Sequence, residues 1–204
     1  MSGSRPFLGM DIGGTKLAVA VATADGQVRA HLRDASRAEE GPDAMIERIV
    51  GMGQAAIVEA GLEIADIKAI GIGCGGPLDP VRGVVHHALN NPGWIDIPLV
   101  DRVEKALGRP AYLENDANAA ALGEHRFGAG RGIRNLAYLT ISTGVGGGVI
   151  VDGRLIHGET GNAGELGHIS VRIDGRPCLC GSRGCIEAYC SGTSIADRTR
   201  EALA

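Results

Sequence analysis

Between residues 161 and 187 the chain reads GNAGELGHISVRIDGRPCLCGSRGCIE. His168, Cys178, Cys180 and Cys185 fall within eighteen positions and form a Cys3His set able to hold a metal ion. Zinc in such a set has every ligand place filled by protein, with none left for an activated water, so its role is structural. The C-x-C spacing departs from that of a redox pair; the competing reading is buried free thiols. Glu165 and Glu187 border the cluster, either as solvated surface carboxylates or as groups that the loop holds toward a polar ligand.

Two glycine runs could bind anions. In Asp11-Ile12-Gly13-Gly14-Thr15-Lys16 the glycines let backbone N–H groups approach phosphate oxygens, and Thr15 and Lys16 add a hydroxyl and a positive charge. Asp11 can hold hydrated Mg2+. The spacing is not that of a Walker A loop, and the alternative is a plain hairpin turn. Residues 140–148, TISTGVGGG, place four glycines in five positions. Thr143 and Gly144 then belong either to a second phosphate cradle or to a bend where two backbones cross. Asn115 and Asp116 follow a strand and open a helix, the place where α/β sheets bind ligands. Asp116 can take a proton from a hydroxyl nucleophile and Asn115 can bond a polyol. Helix capping, worth about 1 kcal/mol, explains the same pair equally simply.

The elements that must carry these groups follow from periodicity and turn residues. Strands at 7–11, 17–22 and 27–33 form a meander, and Met45, Ile49, Met52, Ala56 and Ile57 mark a helix over 42–60 that ends at Gly61. A buried strand at 68–74 closes on Gly75-Gly76-Pro77. A long polar loop covers 79–97 and includes Asn90, and loops of this length are often functional. A helix at 98–107, a strand at 111–114 and a helix at 116–127 follow. A strand at 135–143, a glycine turn at 144–148 and a strand at 149–152 then repeat the opening pattern. FLGMDIGGTKLAVAV and YLTISTGVGGGVIV read as an internal duplication. The expectation is an α/β chain of two similar halves facing a cleft: residues 1–115, then a partial second half, 116–204, carrying a zinc-binding loop at 168–185. A last helix begins near Thr193, leaving the second half incomplete.

Composition narrows the partners. The 204 residues carry a net charge of −4 without a basic run, and aromatics are 3%. Both features argue against a nucleic-acid platform. No apolar run approaches the ~20 residues of a membrane span, and the start lacks the pattern of a secretory leader, so a cytoplasmic protein is expected. An odd count of five cysteines, three of them close together, fits a metal site better than a disulfide framework. Cys74 and Cys190 read as core thiols. His31, His86, His87, His125 and His157 show no partner pattern.

Taken in order, DIGGTK, GCGGPLD, ENDANAAALGE, TISTGVGGG, GNAGELGH and CLCGSRGCIE resemble the ROK family of sugar kinases and related repressors, within the actin-like ATPase (ribonuclease H-like) fold. The resemblance runs over nearly the whole chain, and the context of HHALNNPGW is most similar to the bacterial glucokinase branch. It implies ATP-dependent phosphorylation of a hexose, glucose first, at the C6 hydroxyl, with ATP, Mg2+ and a structural Zn2+. Asp116 is implied as the base. Gly76, Asn90, Asn115, Asp116, Glu165, His168 and Glu187 are implied as the sugar pocket. Asp11, Gly13, Gly14, Thr15 and Lys16 are implied as the first phosphate motif, with Thr143 and Gly144 in the second. His168, Cys178, Cys180 and Cys185 are implied as the zinc set, with His168 also turned to the sugar. A homo-oligomer, dimer or tetramer, is implied as well. The alternatives are an N-acetylglucosamine or N-acetylmannosamine kinase, an inert sugar-binding fragment lacking the adenosine-binding part, and a sugar-responsive repressor. Chelation is expected to weaken sugar binding before it touches the phosphate contacts.

Overall fold

The computed structural model describes residues 5–88 and 91–204. They form two compact units that divide between Asp116 and Ala117.

The first unit is built on a five-stranded sheet in the order β3-β2-β1-β4-β8. Its strands are β1 (Phe7–Ile12), β2 (Lys16–Ala22), β3 (Val28–Ala35), β4 (Ile70–Cys74) and β8 (Ala111–Asn115). β1, β2 and β3 pair antiparallel, while β4 runs parallel to β1 and β8 parallel to β4. Helix α1 (Gly41–Glu59) starts on Pro42, whose missing N–H costs nothing in the first turn. It buries Met45, Ile46, Ile49, Gly53, Ala56 and Ile57, a helical stripe that packs on β1, β2 and β3. Helix α2 (Leu99–Leu107) buries Leu99, Val103 and Leu107 near β8 and ends on a left-handed Gly108. Leu8, Ile12, Leu17, Ile49, Ile70 and Ile72 form the centre of this core. Each such fully buried aliphatic side chain contributes roughly 1.5–3 kcal/mol.

The segment expected as a long polar loop is instead a small antiparallel sheet of β5 (Leu78–Asp79), β6 (Val84–His87) and β7 (Ile95–Ile97). Its polar residues concealed two buried anchors, Val85 and Trp94, both 0% exposed.

Helix α3 (Asp116–Phe127) opens the second unit, followed by β9 (Leu136–Ile141), β10 (Val145–Val151) and β11 (Arg154–Leu155) in an antiparallel sheet of order β11-β10-β9. The glycine turn expected at 144–148 is thus corrected: the turn spans only residues 142–144, and Gly146, Gly147 and Gly148 lie inside β10. They are small because neighbours lie against the strand. A Cβ on Gly148 would stand 2.6 Å from Ala121 Cβ, and one on Gly147 2.9 Å from the Gly164 carbonyl. The repeated opening pattern is real at the level of meanders, since each unit has three antiparallel strands. The chain then passes through the cysteine loop into α4 (Glu187–Cys190) and α5 (Gly192–Leu203). No helix among the described residues is long and apolar enough to cross a membrane.

Candidate functional site

In the first unit, strand register brings the chemistry to one sheet edge. Ile12, Cys74 and Asn115 are direct cross-strand partners on the parallel strands β1, β4 and β8. The residues that follow leave the sheet at the same end: Gly13-Gly14, Gly75-Gly76 and Asp116. Ligands of open α/β sheets bind at this carboxyl edge. A Cβ on Gly76 would lie 3.8 Å from Asn115 Nδ2, so the bare backbone there borders the Asn115 amide.

The electrostatics agree with the register. Burial and the Asp116 charge hold the Asp11 carboxyl above the usual carboxylate range, while Lys16 and Arg33 oppose them. Asp11, with the Asp116 carboxylate and the Lys16 and Arg33 cations near enough to act on it, belongs to a donor set suited to a divalent cation and its phosphates. Burial first, then Asp116 and Asp11, pushes the Cys74 thiol up to about 12. Cys74 is therefore a neutral core thiol, as its isolated position in the sequence implied.

The Gly13–Lys16 turn closes with a 3.1 Å bond from Gly13 N–H to the Lys16 carbonyl. Sequence reasoning missed its anchor. Ser36, 1% exposed, donates from Oγ to the Gly14 carbonyl at 2.6 Å, and its N–H donates to the Thr15 carbonyl at 3.2 Å. Arg48 on α1 in turn donates to the Ser36 carbonyl at 2.6 Å and pairs with Glu40. No sequence signal marks Ser36 beyond its place one residue after β3. Arg33 was missed too: Asp11, Ala18 and Arg33 share one cross-strand row, and the small Ala18 between them leaves room over the sheet.

Asn90 lies outside the described residues. Its neighbour Asn91 is 3% exposed, and its Oδ1 is buried without a hydrogen-bond partner among the described residues.

In the second unit the four thiol and imidazole ligands come together, their donor atoms all within 4.8 Å of one another. Cys180 Sγ and Cys185 Sγ are 3.7 Å apart, as are Cys178 Sγ and His168 Nδ1. A tetrahedron with bonds of ~2.3 Å to sulfur has edges of about 3.8 Å, close to these two separations, so the donor set suits a tetrahedral metal. Burial, reinforced by the other two thiols, pushes the Cys178 thiol up to about 12; the Ser182 N–H draws the Cys180 thiol below its usual value. Isolated bridges between Ser170 and Cys185 and between Pro177 and Arg183 shape the loop. Paired bonds from Arg176 to Glu201 tie it to α5.

His168 turns its Nε2 toward Glu165, 3.7 Å from Oε2. That separation is longer than a hydrogen bond, so Glu165 lies beside the imidazole without fixing its tautomer. Glu187 faces elsewhere. Its Oε2 accepts from the Val145 N–H at 2.8 Å, beside the Thr143-Gly144 turn.

The chain is 40% identical over 198 residues to a glucokinase of Thermotoga maritima, a match spanning 96% of this chain and 60% of that one. It is 38% identical over 197 residues to an N-acetylmannosamine kinase of Citrobacter koseri, covering 97% of this chain and 65% of that one. A ROK family glucokinase from Streptomyces griseus, solved in complex with glucose and AMPPNP, superposes with a TM-score of 0.80 at 39% identity, covering 96% of this chain and 60% of that one. The chain thus spans about three fifths of the length of the glucokinases it matches. It shares the actin-like ATPase fold of these sugar kinases. The ROK family model matches residues 7–204, and the chain belongs to the ROK family.

Proposed function

We propose that this chain supplies the phosphate, base and sugar-binding groups of an ATP-dependent hexokinase whose first substrate is glucose. The observation that carries the reading is the register of β1, β4 and β8, which sets Asp11, the Gly75-Gly76 turn and Asn115-Asp116 at one sheet edge. Identity of 40% to a glucokinase supports the choice of sugar.

In this reading the C6 hydroxyl oxygen attacks the γ-phosphorus of ATP. The bond from that phosphorus to the β,γ-bridging oxygen breaks, ADP leaves, and the hydroxyl proton passes to the Asp116 carboxylate. Transfer of this kind depends on positioning and charge neutralisation more than on covalent help from the protein. Backbone N–H groups at Gly14 and Thr15, with the Lys16 ammonium, hold phosphate oxygens, and Gly13, whose N–H closes the turn on the Lys16 carbonyl, shapes the cradle; Thr143 and Gly144 form the second cradle. Asp11 would hold Mg2+, which supplies charge neutralisation at the phosphates. Gly76, Asn90, Asn115, Asp116, Glu165, His168 and Glu187 bind sugar hydroxyls. His168, Cys178, Cys180 and Cys185 would hold zinc as scaffold. The protein acts as a dimer or tetramer.

A coupled assay for ADP release over glucose, N-acetylmannosamine, N-acetylglucosamine and fructose tests the reading. Turnover highest on glucose is expected. Phosphorylation of N-acetylated sugars alone would replace glucose by an amino sugar, the choice that the 38% identity to an N-acetylmannosamine kinase supports. Calorimetric binding of glucose without any binding of a nucleotide analogue would leave a sugar-binding module in place of a kinase.

A further inference from the structure

The turn between β9 and β10 is gripped from one side by the segment that leaves the cysteine loop. The Ser142 N–H donates to the Gly144 carbonyl at 2.9 Å, which makes Ile141 and Val145 a non-hydrogen-bonded pair of the hairpin. The Val145 N–H therefore points away from β9, out of the ladder. Val145 is buried, 3% exposed, and a buried N–H left without an acceptor is costly. Glu187 Oε2 is the acceptor, at 2.8 Å. The missing side chain of residue 144 makes room for it, because a Cβ there would stand 2.7 Å from that oxygen. Two further contacts come from the same segment. The Gly192 N–H donates to the Ser142 carbonyl at 2.7 Å, and Thr193 Oγ donates to the Thr143 carbonyl at 3.0 Å.

Glu187 stands two residues after Cys185, whose thiol belongs to the four-ligand cluster. Its own position is set from the cluster side by the Ile186 N–H, which donates to the Ile169 carbonyl next to His168. From below, Ser194 Oγ donates to the Glu187 carbonyl at 2.8 Å.

We infer that Glu187 is a positioning residue that couples the metal loop to the second glycine turn, holding the Val145 N–H and the Thr143-Gly144 backbone in place only when the loop is ordered by its metal. The importance of this coupling for phosphate binding rests on reading the turn as a cradle; the coupling itself does not. One carboxylate oxygen of Glu187 is committed to the turn, leaving Oε1 as its other acceptor. Metal loss should then disturb the phosphate side directly, and not only after the sugar side.

Amide hydrogen exchange followed by NMR on the zinc-loaded chain tests this without any assay of activity. Val145 should be protected. Glu187→Ala should speed its exchange roughly tenfold, the equivalent of one lost hydrogen bond, while Ile150 in the same strand keeps its protection. Glu187→Gln, which retains a carbonyl acceptor, should restore most of the loss. Gly144→Ala, which displaces the carboxylate, should reproduce the Glu187→Ala pattern with Glu187 still present. Stripping zinc with a chelator should speed Val145 exchange to a similar extent. Unchanged Val145 protection after chelation, or in both Glu187→Ala and Gly144→Ala, would overturn the coupling. If the coupling holds but no nucleotide analogue binds, the kinase reading fails and the coupling stands.

Discussion

Asp11 and Asp116 stand at the carboxyl ends of β1 and β8, with β4 between those strands, and their roles separate in solution. The folded pKa of Asp11 is raised above its ordinary 3.8, first by burial and then by Asp116. Such an acid contributes its full stability below the unfolded value, and the contribution is lost as pH rises through the folded one. Asp11→Asn should therefore raise the melting temperature slightly at neutral pH, with the gain disappearing in acid below the ordinary carboxylate range. Thermal melts of both proteins across that range check the sign. Asp116→Asn keeps the size of the side chain and removes the proton acceptor. Turnover should fall by about 10²–10⁴-fold while glucose affinity, read by calorimetry, changes little. Near-normal turnover would remove Asp116 from the role of base. Ser36→Ala strips the buried hydroxyl from the Gly14 carbonyl, and about 1–2 kcal/mol of stability should go with it in urea unfolding.

At the scale of elements, the glycine-rich strand β10 and the helix α3 share a narrow gap. Gly148→Ala would place a Cβ 2.6 Å from Ala121 and 3.2 Å from the Ala117 carbonyl. Overpacking of this kind costs about 1–3 kcal/mol. Gly71 on β4 has open space at its Cβ position, so Gly71→Ala should be near neutral in the same urea titration. Equal effects at the two positions would mean that the β10 glycines are not there for close approach. The cysteine loop buries little apolar surface: Ile173 and Leu179 are 89% and 96% exposed.

For the whole molecule, the two units differ in what holds them. The first has a continuous aliphatic core, and the chain's single tryptophan, Trp94, is buried in it. The second buries fewer apolar side chains, among them Val145, Ile150 and Ala188, and carries the four-ligand cluster. Chelation should lower the unfolding midpoint followed by NMR signals of α4 and α5 by several degrees, since a structural metal contributes folding free energy outright. The midpoint followed by Trp94 fluorescence should move much less. A parallel shift of both probes would show that the units unfold together.

Much of this was legible in the chain itself. Period-2 and period-3.6 patterns placed β1 to β4, α1 and α2, because one face of each must be apolar to build a core. The six ordered motifs carried the family, and the Cys3His spacing carried the convergence of four ligand-type side chains. Three features needed the tertiary structure. Ser36 matters through a carbonyl 22 positions away, and a lone serine carries no such mark. The glycines of β10 read as a turn, since sequence does not tell a glycine needed for its backbone angles from one needed for its missing Cβ. Glu187 read as a ligand of the sugar alone. Only the hairpin register, which turns the Val145 N–H away from its partner strand, shows why a carboxylate must stand there.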